Sequence, residues 1–170
     1  MHRRIIYLLL AVLSAATPVL CAAQPSRPAA QSTPKANALG IRIAGEWNPN
    51  WDFAVGADVS YQRFFTPRTR LETDLGIRFY DYNAETKRIY PALLIATSFQ
   101  WRWPIGRTAG FYAGPVIQYG RPNYWFGAGV QTGFDWQLEG PLQLSIDVRP
   151  TWSWWSGFNT SLSAGLRYAF

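Results

Sequence analysis

The sequence predicts an all-β fold, an eight-stranded antiparallel up-and-down barrel that crosses a membrane. Three features predict it: apolar and polar residues alternate with period two, seven turn-forming segments divide residues 39–170 into eight stretches, and nearly all nine tryptophans lie near predicted strand ends. Successive side chains of a strand point to opposite faces, so each stretch has one apolar face and one polar face.

Residues 1–23 have the organisation of a secretory signal peptide. A short basic start precedes an apolar stretch at residues 5–20, and small residues before Gln24 provide a cleavage site. Because the apolar stretch is short for a spanning helix, a retained N-terminal anchor is the less favoured interpretation. Lipid attachment at Cys21 is also disfavoured, since Leu20 is larger than the residue that normally precedes a lipidated cysteine.

Cleavage would remove the single histidine and the single cysteine, His2 and Cys21. The mature chain could then form no disulfide and no metal site based on His or Cys, and we expect no cofactor and no catalytic or metal-binding residue. The formal charge of +6 falls by two with Arg3 and Arg4. The remaining basic residues are scattered, so the charge does not favour nucleic acid as a partner.

Residues 24–38 are rich in Pro, Ala, Ser and Gln and show no apolar periodicity. This composition predicts a disordered periplasmic leader. The remaining residues, 39–170, suit a single barrel domain. Its predicted connections lie at residues 48–50, 66–68, 84–87, 105–108, 120–123, 139–141 and 156–157.

The alternation differs in clarity from strand to strand. It is clear in strands two, three, six and seven, and it is weaker in strands one and four. Strand five is the weakest, because aromatic residues fall on both of its faces. Strand eight, residues 158–170, alternates almost without error and ends on the aromatic Phe170. Segments of this length can cross the hydrocarbon layer when tilted.

Three prolines oppose a regular ladder, because proline cannot donate a backbone hydrogen bond. Pro91, Pro115 and Pro150 lie inside predicted strands four, five and seven. All three have the parity of the apolar face, so we expect bulges or strand ends to accommodate them. The limits of these strands are accordingly the least well defined.

The polar face combines arginines, carboxylates and glycines, a mixture that suits a narrow interior filled by ion pairs. The opposite face carries Leu, Ile, Val, Phe and Trp, as contact with lipid requires. The charged face is therefore predicted to line the interior. The predicted ion-pair network comprises Arg42, Glu46, Asp52, Asp58, Glu72, Asp74, Arg78, Arg102, Asp135, Asp147, Arg149 and Arg167.

These features together resemble the small eight-stranded outer-membrane barrels of the OmpA, OmpX and opacity-protein type. The terminal pattern is similar to the C-terminal signal read by the outer-membrane assembly machinery, and it consists of Leu162, Leu166, Tyr168 and Phe170. The resemblance implies a monomer in the outer membrane of a Gram-negative bacterium, with membrane lipids, lipopolysaccharide and that machinery as partners. One departure is that members of this type usually have long extracellular loops, whereas every loop here is short.

A periplasmic N-terminus would place the first, third, fifth and seventh connections outside the cell. Four arginines would then cluster at the periplasmic rim, namely Arg63, Arg68, Arg70 and Arg107. Lys87, Arg88 and Arg121 would lie at the outer rim, where lipopolysaccharide phosphates are candidate ligands. A solvated charged rim is the alternative interpretation of both groups.

Three functions remain compatible with this architecture. The favoured one is a structural or interaction barrel with a filled interior, since eight strands leave room only for side chains. The second is a narrow channel for water, ions or small solutes, in which inward glycines leave a gap. The third is a lipid A deacylase or acyltransferase. It is disfavoured because the resemblance implies that such barrels rely on a histidine with a serine, and the mature chain would have no histidine. An accessory subunit of a secretion or assembly complex is a further alternative.

Overall fold

Eight antiparallel strands form a closed barrel in the computed structural model, which describes residues 35–49, 52–81, 89–121, 125–154 and 156–170. Each strand pairs with the next along the chain, and β1 pairs with β8. The predicted fold class is therefore confirmed. The strands are β1 (Asn37–Asn48), β2 (Asp52–Thr66), β3 (Thr69–Asp81), β4 (Ile89–Ile105), β5 (Ala109–Arg121), β6 (Trp125–Gln137), β7 (Leu142–Ser153) and β8 (Gly157–Ala169).

The predicted signal peptide and most of the predicted leader lie outside the described residues. β1 begins at Asn37, within the last two positions assigned to the leader. The described residues contain no helix long and apolar enough to cross a membrane.

The start of β1 and the end of β8 lie at one end of the barrel, called here the terminal end. Three short hairpins lie there as well, joining β2 to β3, β4 to β5 and β6 to β7. Gly106 and Gly140 provide the positive φ angles of 70° and 66° in two of these hairpins, a conformation that other residues rarely adopt. The opposite end of the barrel, where β1, β3, β5 and β7 end, is called here the distal end.

Burial follows the alternation of the sequence. Along β7, Gln143, Ser145, Asp147 and Arg149 are each at most 5% exposed. The apolar parity faces outward, and Ile41 and Ile43 of β1 are 69% and 67% exposed. The barrel therefore has the inverse of a soluble core, with polar groups in its lumen and large apolar side chains on its outer wall.

The mid-strand prolines interrupt the ladder without shifting it. The β4–β5 pairings skip from Ser98–Val116 to Trp101–Ala113, which leaves Pro115 without a partner in β4. The β6–β7 pairings skip in the same way at Pro150. The bulges expected at these two sites are absent; among the described pairings the register shifts only between Phe64 and Thr66.

Pro91 lies near a strand end, the second arrangement expected to accommodate a proline. It lies beyond Leu93, where the described pairing of β4 with β5 stops. It remains paired on its other side, with Phe79 of β3. Its missing N–H therefore interrupts no described β4–β5 pair.

Close approach of the strands depends on inward glycines. A Cβ atom at Gly133 would collide with the carbonyl oxygen of Ile146 on the neighbouring strand. Gly127 lies on the same face of the same strand, but the nearest atoms to its Cβ position are in Gln118 at 3.3 Å and Trp152 at 3.4 Å. Glycine is thus required at the first site and nearly replaceable at the second.

We predict that Gly133→Ala lowers the free energy of unfolding by about 1–3 kcal/mol, because the added methyl group overpacks against backbone. Urea titration of the protein folded in detergent micelles measures the effect. Gly127→Ala is the matched control, with a change close to zero. Equal destabilisation by both substitutions would contradict the assignment of close approach to Gly133.

Candidate functional site

The lumen is the candidate functional site, and its charges form three clusters along the barrel axis. The central cluster consists of Arg42, Arg149, Arg167, Glu72, Asp74 and Asp147. The terminal cluster consists of Arg70, Arg102 and Asp135. The distal cluster consists of Arg78, Glu46 and Asp58.

Glu72 lies at the centre of the central cluster and is fully buried. Its carboxylate accepts hydrogen bonds from Arg42 of β1 and Gln62 of β2. It also accepts from Gln131 of β6 and Arg167 of β8, both at 2.9 Å. One side chain of β3 therefore contacts four other strands, three of which (β1, β6 and β8) are not its neighbours in the sheet.

The other two central carboxylates extend these links. Arg149 of β7 donates to Asp74 of β3 at 2.5 Å, and Arg42 donates to the same oxygen at 2.9 Å. Arg42 also donates to Asp147 of β7 at 2.5 Å and to Ser163 of β8. Because β3 and β7 are not neighbours in the sheet, these contacts cross the lumen. The side chains that form them fill the cross-section of the barrel at this level.

In the distal cluster, Arg78 forms a bidentate pair with Asp58, with N–O distances of 2.5 and 3.0 Å. Its Nε atom lies 3.7 Å from Glu46, which also accepts a hydrogen bond from the Tyr80 hydroxyl at 3.1 Å. The side chain of Asp52, predicted to join the network, lies outside the described side chains. Every other residue of the predicted network has its described side chain in one of the three clusters.

The terminal cluster contains a residue that the sequence prediction misplaced. Arg70 was predicted at the periplasmic rim, but it is fully buried and donates to Asp135 at 2.7 Å. Arg102, whose side chain is 21% exposed, binds the same carboxylate at 2.8 Å. Arg70 has the inward parity of Glu72, so extending strand three by one residue would have found it.

Tyr112 connects the terminal and central clusters and was also missed. The guanidinium carbon of Arg70 lies 4.3 Å from the centroid of the Tyr112 ring, a cation–π distance. The Tyr112 hydroxyl donates to Asp147 at 2.9 Å. The aromatic residues on both faces of strand five hid its parity in the sequence.

The described lumen is electrically balanced, with six arginines facing six carboxylates. Ions removed from water are stable only when paired and hydrogen-bonded. Inward glycines provide the space for this pairing. Gly165, Gly40 and Gly56 lie directly opposite Arg42, Arg167 and Arg78, and each glycine lies against its arginine side chain.

Seven buried polar atoms of the described side chains have no hydrogen-bond partner in the protein. They include the amide oxygens of Gln62 and Gln131 and one carboxylate oxygen of Asp74. Such atoms are usually satisfied by buried water. The described residues contain no group of three or more His, Cys, Asp or Glu side chains that could hold a metal ion.

Three residues of the predicted assembly signal lie on the outer face of β8, and the fourth, Phe170, follows directly after the strand. Leu162, Leu166, Tyr168 and Phe170 are between 38% and 55% exposed. The strand that carries them closes the barrel against β1, and Phe170 exchanges two backbone hydrogen bonds with Asn37. Their role in assembly stays a prediction.

Solved structures share this fold at low sequence identity. The crystal structure of Neisserial surface protein A aligns with a TM-score of 0.62 and 16% identity, covering 79% of this chain and 96% of that chain. The N-terminal β-barrel domain of Pseudomonas aeruginosa OprF gives a TM-score of 0.53 and 14% identity, covering 80% and 100%. A de novo designed transmembrane β-barrel gives 0.57 and 11%, covering 83% and 100%.

No family model matches the sequence. No curated protein matches it either. The solved structures confirm the resemblance to small eight-stranded outer-membrane barrels for the fold. At these sequence identities they show no function for this chain.

We predict that Glu72→Gln lowers the free energy of unfolding by about 3–5 kcal/mol, because it leaves buried arginines without their counter-charge while keeping the side-chain size. Urea titration in micelles measures the loss. Glu139→Gln, which changes an exposed carboxylate in the same way, is the control and stays within about 0.5 kcal/mol. Similar values for the two variants would show that the lumen network does not stabilise the fold.

Proposed function

We propose that this chain is an integral protein of the bacterial outer membrane with a structural or interaction role, exported through a cleaved signal peptide. The proposal rests on the contacts of Glu72 in the lumen. Side chains of four other strands donate hydrogen bonds to its carboxylate. A lumen sealed by paired charges serves as a rigid membrane body rather than as a pore.

The outer wall supports the membrane location. Exposed apolar side chains cover the middle of the strands, including Val59, Leu75, Ile77 and Ile95. A continuous apolar surface on the outside of a barrel is unfavourable in water and favourable against hydrocarbon. Tryptophans lie towards both ends, with Trp47 and Trp152 near the distal end and Trp101 and Trp103 near the terminal end, as the two membrane interfaces require.

A narrow water channel is the second candidate, and the seven buried atoms without protein partners favour it. Water molecules that satisfy these atoms would lie along the axis of the lumen. The surroundings of the inward glycines favour a closed lumen instead. The space beside Gly40, Gly56 and Gly165 is occupied by arginine side chains, so these glycines leave no continuous gap.

The geometry supports an enzyme least. Ser163 donates to Asp147 at 2.9 Å, but it is 4% exposed and lies inside the lumen, away from a lipid substrate. A serine nucleophile also needs a general base that can take up its proton. An arginine-bound carboxylate is a poor base, and Asp147 is bound by Arg42.

As partners we propose outer-membrane lipids together with lipopolysaccharide, whose phosphates suit the exposed Arg121 at the distal end. The outward apolar pattern of β8 suits recognition by the outer-membrane assembly machinery. A monomer agrees with this proposal, because closure of β1 on β8 leaves no free strand edge among the described strands.

Conductance in planar lipid bilayers tests the sealed lumen. We expect the native protein to show no steady conductance and Arg149→Ala to conduct, because the substitution removes a guanidinium that crosses the lumen to Asp74. Arg107→Ala, at an exposed hairpin position, is the control and stays silent. Steady conductance of the native protein, equal to that of Arg149→Ala, would favour the channel instead, and silence of both would contradict the role of Arg149 in sealing the lumen.

A further inference from the structure

Among the described side chains the lumen charges balance, and the excess of positive charge lies outside the lumen. Every described lumen carboxylate is bound by a lumen arginine, so none neutralises an exterior cation. Among the described side chains outside the lumen, the charged residues are the cations Lys35, Arg63, Arg68, Arg107 and Arg121 and the anion Glu139. Four of the five cations lie at the terminal end.

Three of these cations form what we call the basic rim: Arg63, Arg68 and Arg107. Arg63 lies on the outward face of β2, two positions after Tyr61, and Arg68 lies in the β2–β3 hairpin. Arg107 lies in the β4–β5 hairpin. All three are exposed, and none of their side chains forms an ion pair with another described residue.

An arc of aromatic side chains lies beside the basic rim on the outer wall. Phe65 of β2 stacks on Phe99 of β4 with a centroid distance of 6.3 Å, and Phe99 contacts Trp101 at 5.0 Å. The arc continues over β5 and β6, where Phe111 contacts Trp103 at 5.6 Å and Phe134 at 5.4 Å.

This arc fixes the height of the basic rim relative to a membrane. Aromatic side chains of this kind lie at the headgroup level. The backbone N–H of Arg102 donates to the carbonyl oxygen of Arg68 at 2.7 Å, so the hairpin residue Arg68 lies beside the segment of β4 that carries Trp101 and Trp103. Arg107 follows Trp103 in the next turn. Both residues therefore lie in hairpins beyond the aromatic arc, on the side away from the middle of the strands, where the phosphate groups of a bilayer are expected.

We propose that the basic rim binds the headgroups of anionic phospholipids in the leaflet at the terminal end. The proposal rests on the membrane location proposed above and adds a lipid class to it. Guanidinium groups bind phosphate oxygens bidentately, and exposed basic side chains near a membrane surface select anionic lipids. Arg63 lies between Tyr61 and Phe65 on the outward face of β2 and pairs with Leu71 of β3, and these lipid-facing neighbours favour a lipid ligand over a soluble one.

Spin-label electron paramagnetic resonance of the protein in phosphatidylcholine vesicles tests the proposal. The readout is the motionally restricted fraction of labelled phosphatidylglycerol relative to labelled phosphatidylcholine. We expect a preference for phosphatidylglycerol of about fivefold, the effect of one well-placed cation near an anionic surface, that weakens at high salt. The triple variant Arg63→Gln, Arg68→Gln, Arg107→Gln abolishes this preference.

A charge-matched variant with Lys87→Gln, Arg88→Gln and Arg121→Gln removes the same number of cations from positions in the sequence outside the basic rim. It retains most of the preference if the basic rim is the binding site. Equal loss in the two triple variants, or no preference in the native protein, overturns the proposal.

Failure of the membrane location itself gives a different signature. In that case neither labelled lipid shows a motionally restricted fraction, and the protein does not float with the vesicles. A restricted fraction without lipid preference therefore contradicts only the assignment of the basic rim.

Discussion

Pairing of buried charges is the constraint on which the rest of the barrel depends. A lumen lined by arginines and carboxylates is stable only if each charge meets a counter-charge, since isolated ions in a poorly solvated interior are very unfavourable. Glu72 shows the result most clearly, because its carboxylate joins β3 to β1, β2, β6 and β8. The small buried cluster of Ala54, Tyr80 and Ala92 is no substitute for a hydrophobic core.

The same constraint determines side-chain size and the distribution of charge. Six arginines fit inside eight strands because glycines face several of them, as Gly165 faces Arg42 and Gly40 faces Arg167. Every described carboxylate except Glu139 lies in the lumen, so the described outer surface has an excess of cations. The packing of the lumen and the charge of the outer surface therefore have the same cause: the described carboxylates lie mainly in the lumen, where arginines pair with them.

Most of the architecture could be predicted from the sequence, because alternation is a local property of each strand. Along β8 the outward Leu162 and Leu166 and the inward Ser163 and Arg167 follow directly from parity. The partners inside the lumen could not be predicted in this way. The pair of Arg149 and Asp74 joins residues 75 positions apart and exists only because closure places β7 opposite β3.

The misplaced residues have similar physical reasons. Arg70 lies one position beyond the limit predicted for strand three, where a hairpin and a strand end look alike in sequence. Tyr112 lies in strand five, where aromatic residues on both faces conceal the parity. Pro115 and Pro150 each lose pairing to one neighbouring strand while the register of the ladder is kept. The residue types alone do not distinguish this arrangement from a bulge.

Site-directed spin labelling of two adjacent residues of β7 tests the central claim most directly. Leu144 lies on the outer wall, whereas Ser145 is fully buried and accepts a hydrogen bond from Arg167 at 2.5 Å. Labels are introduced as Leu144→Cys and Ser145→Cys in protein reconstituted in lipid. We expect oxygen dissolved in the bilayer to relax the label at position 144 more strongly than the label at position 145. The reverse order would contradict the central claim, since the charged face would then contact the lipid.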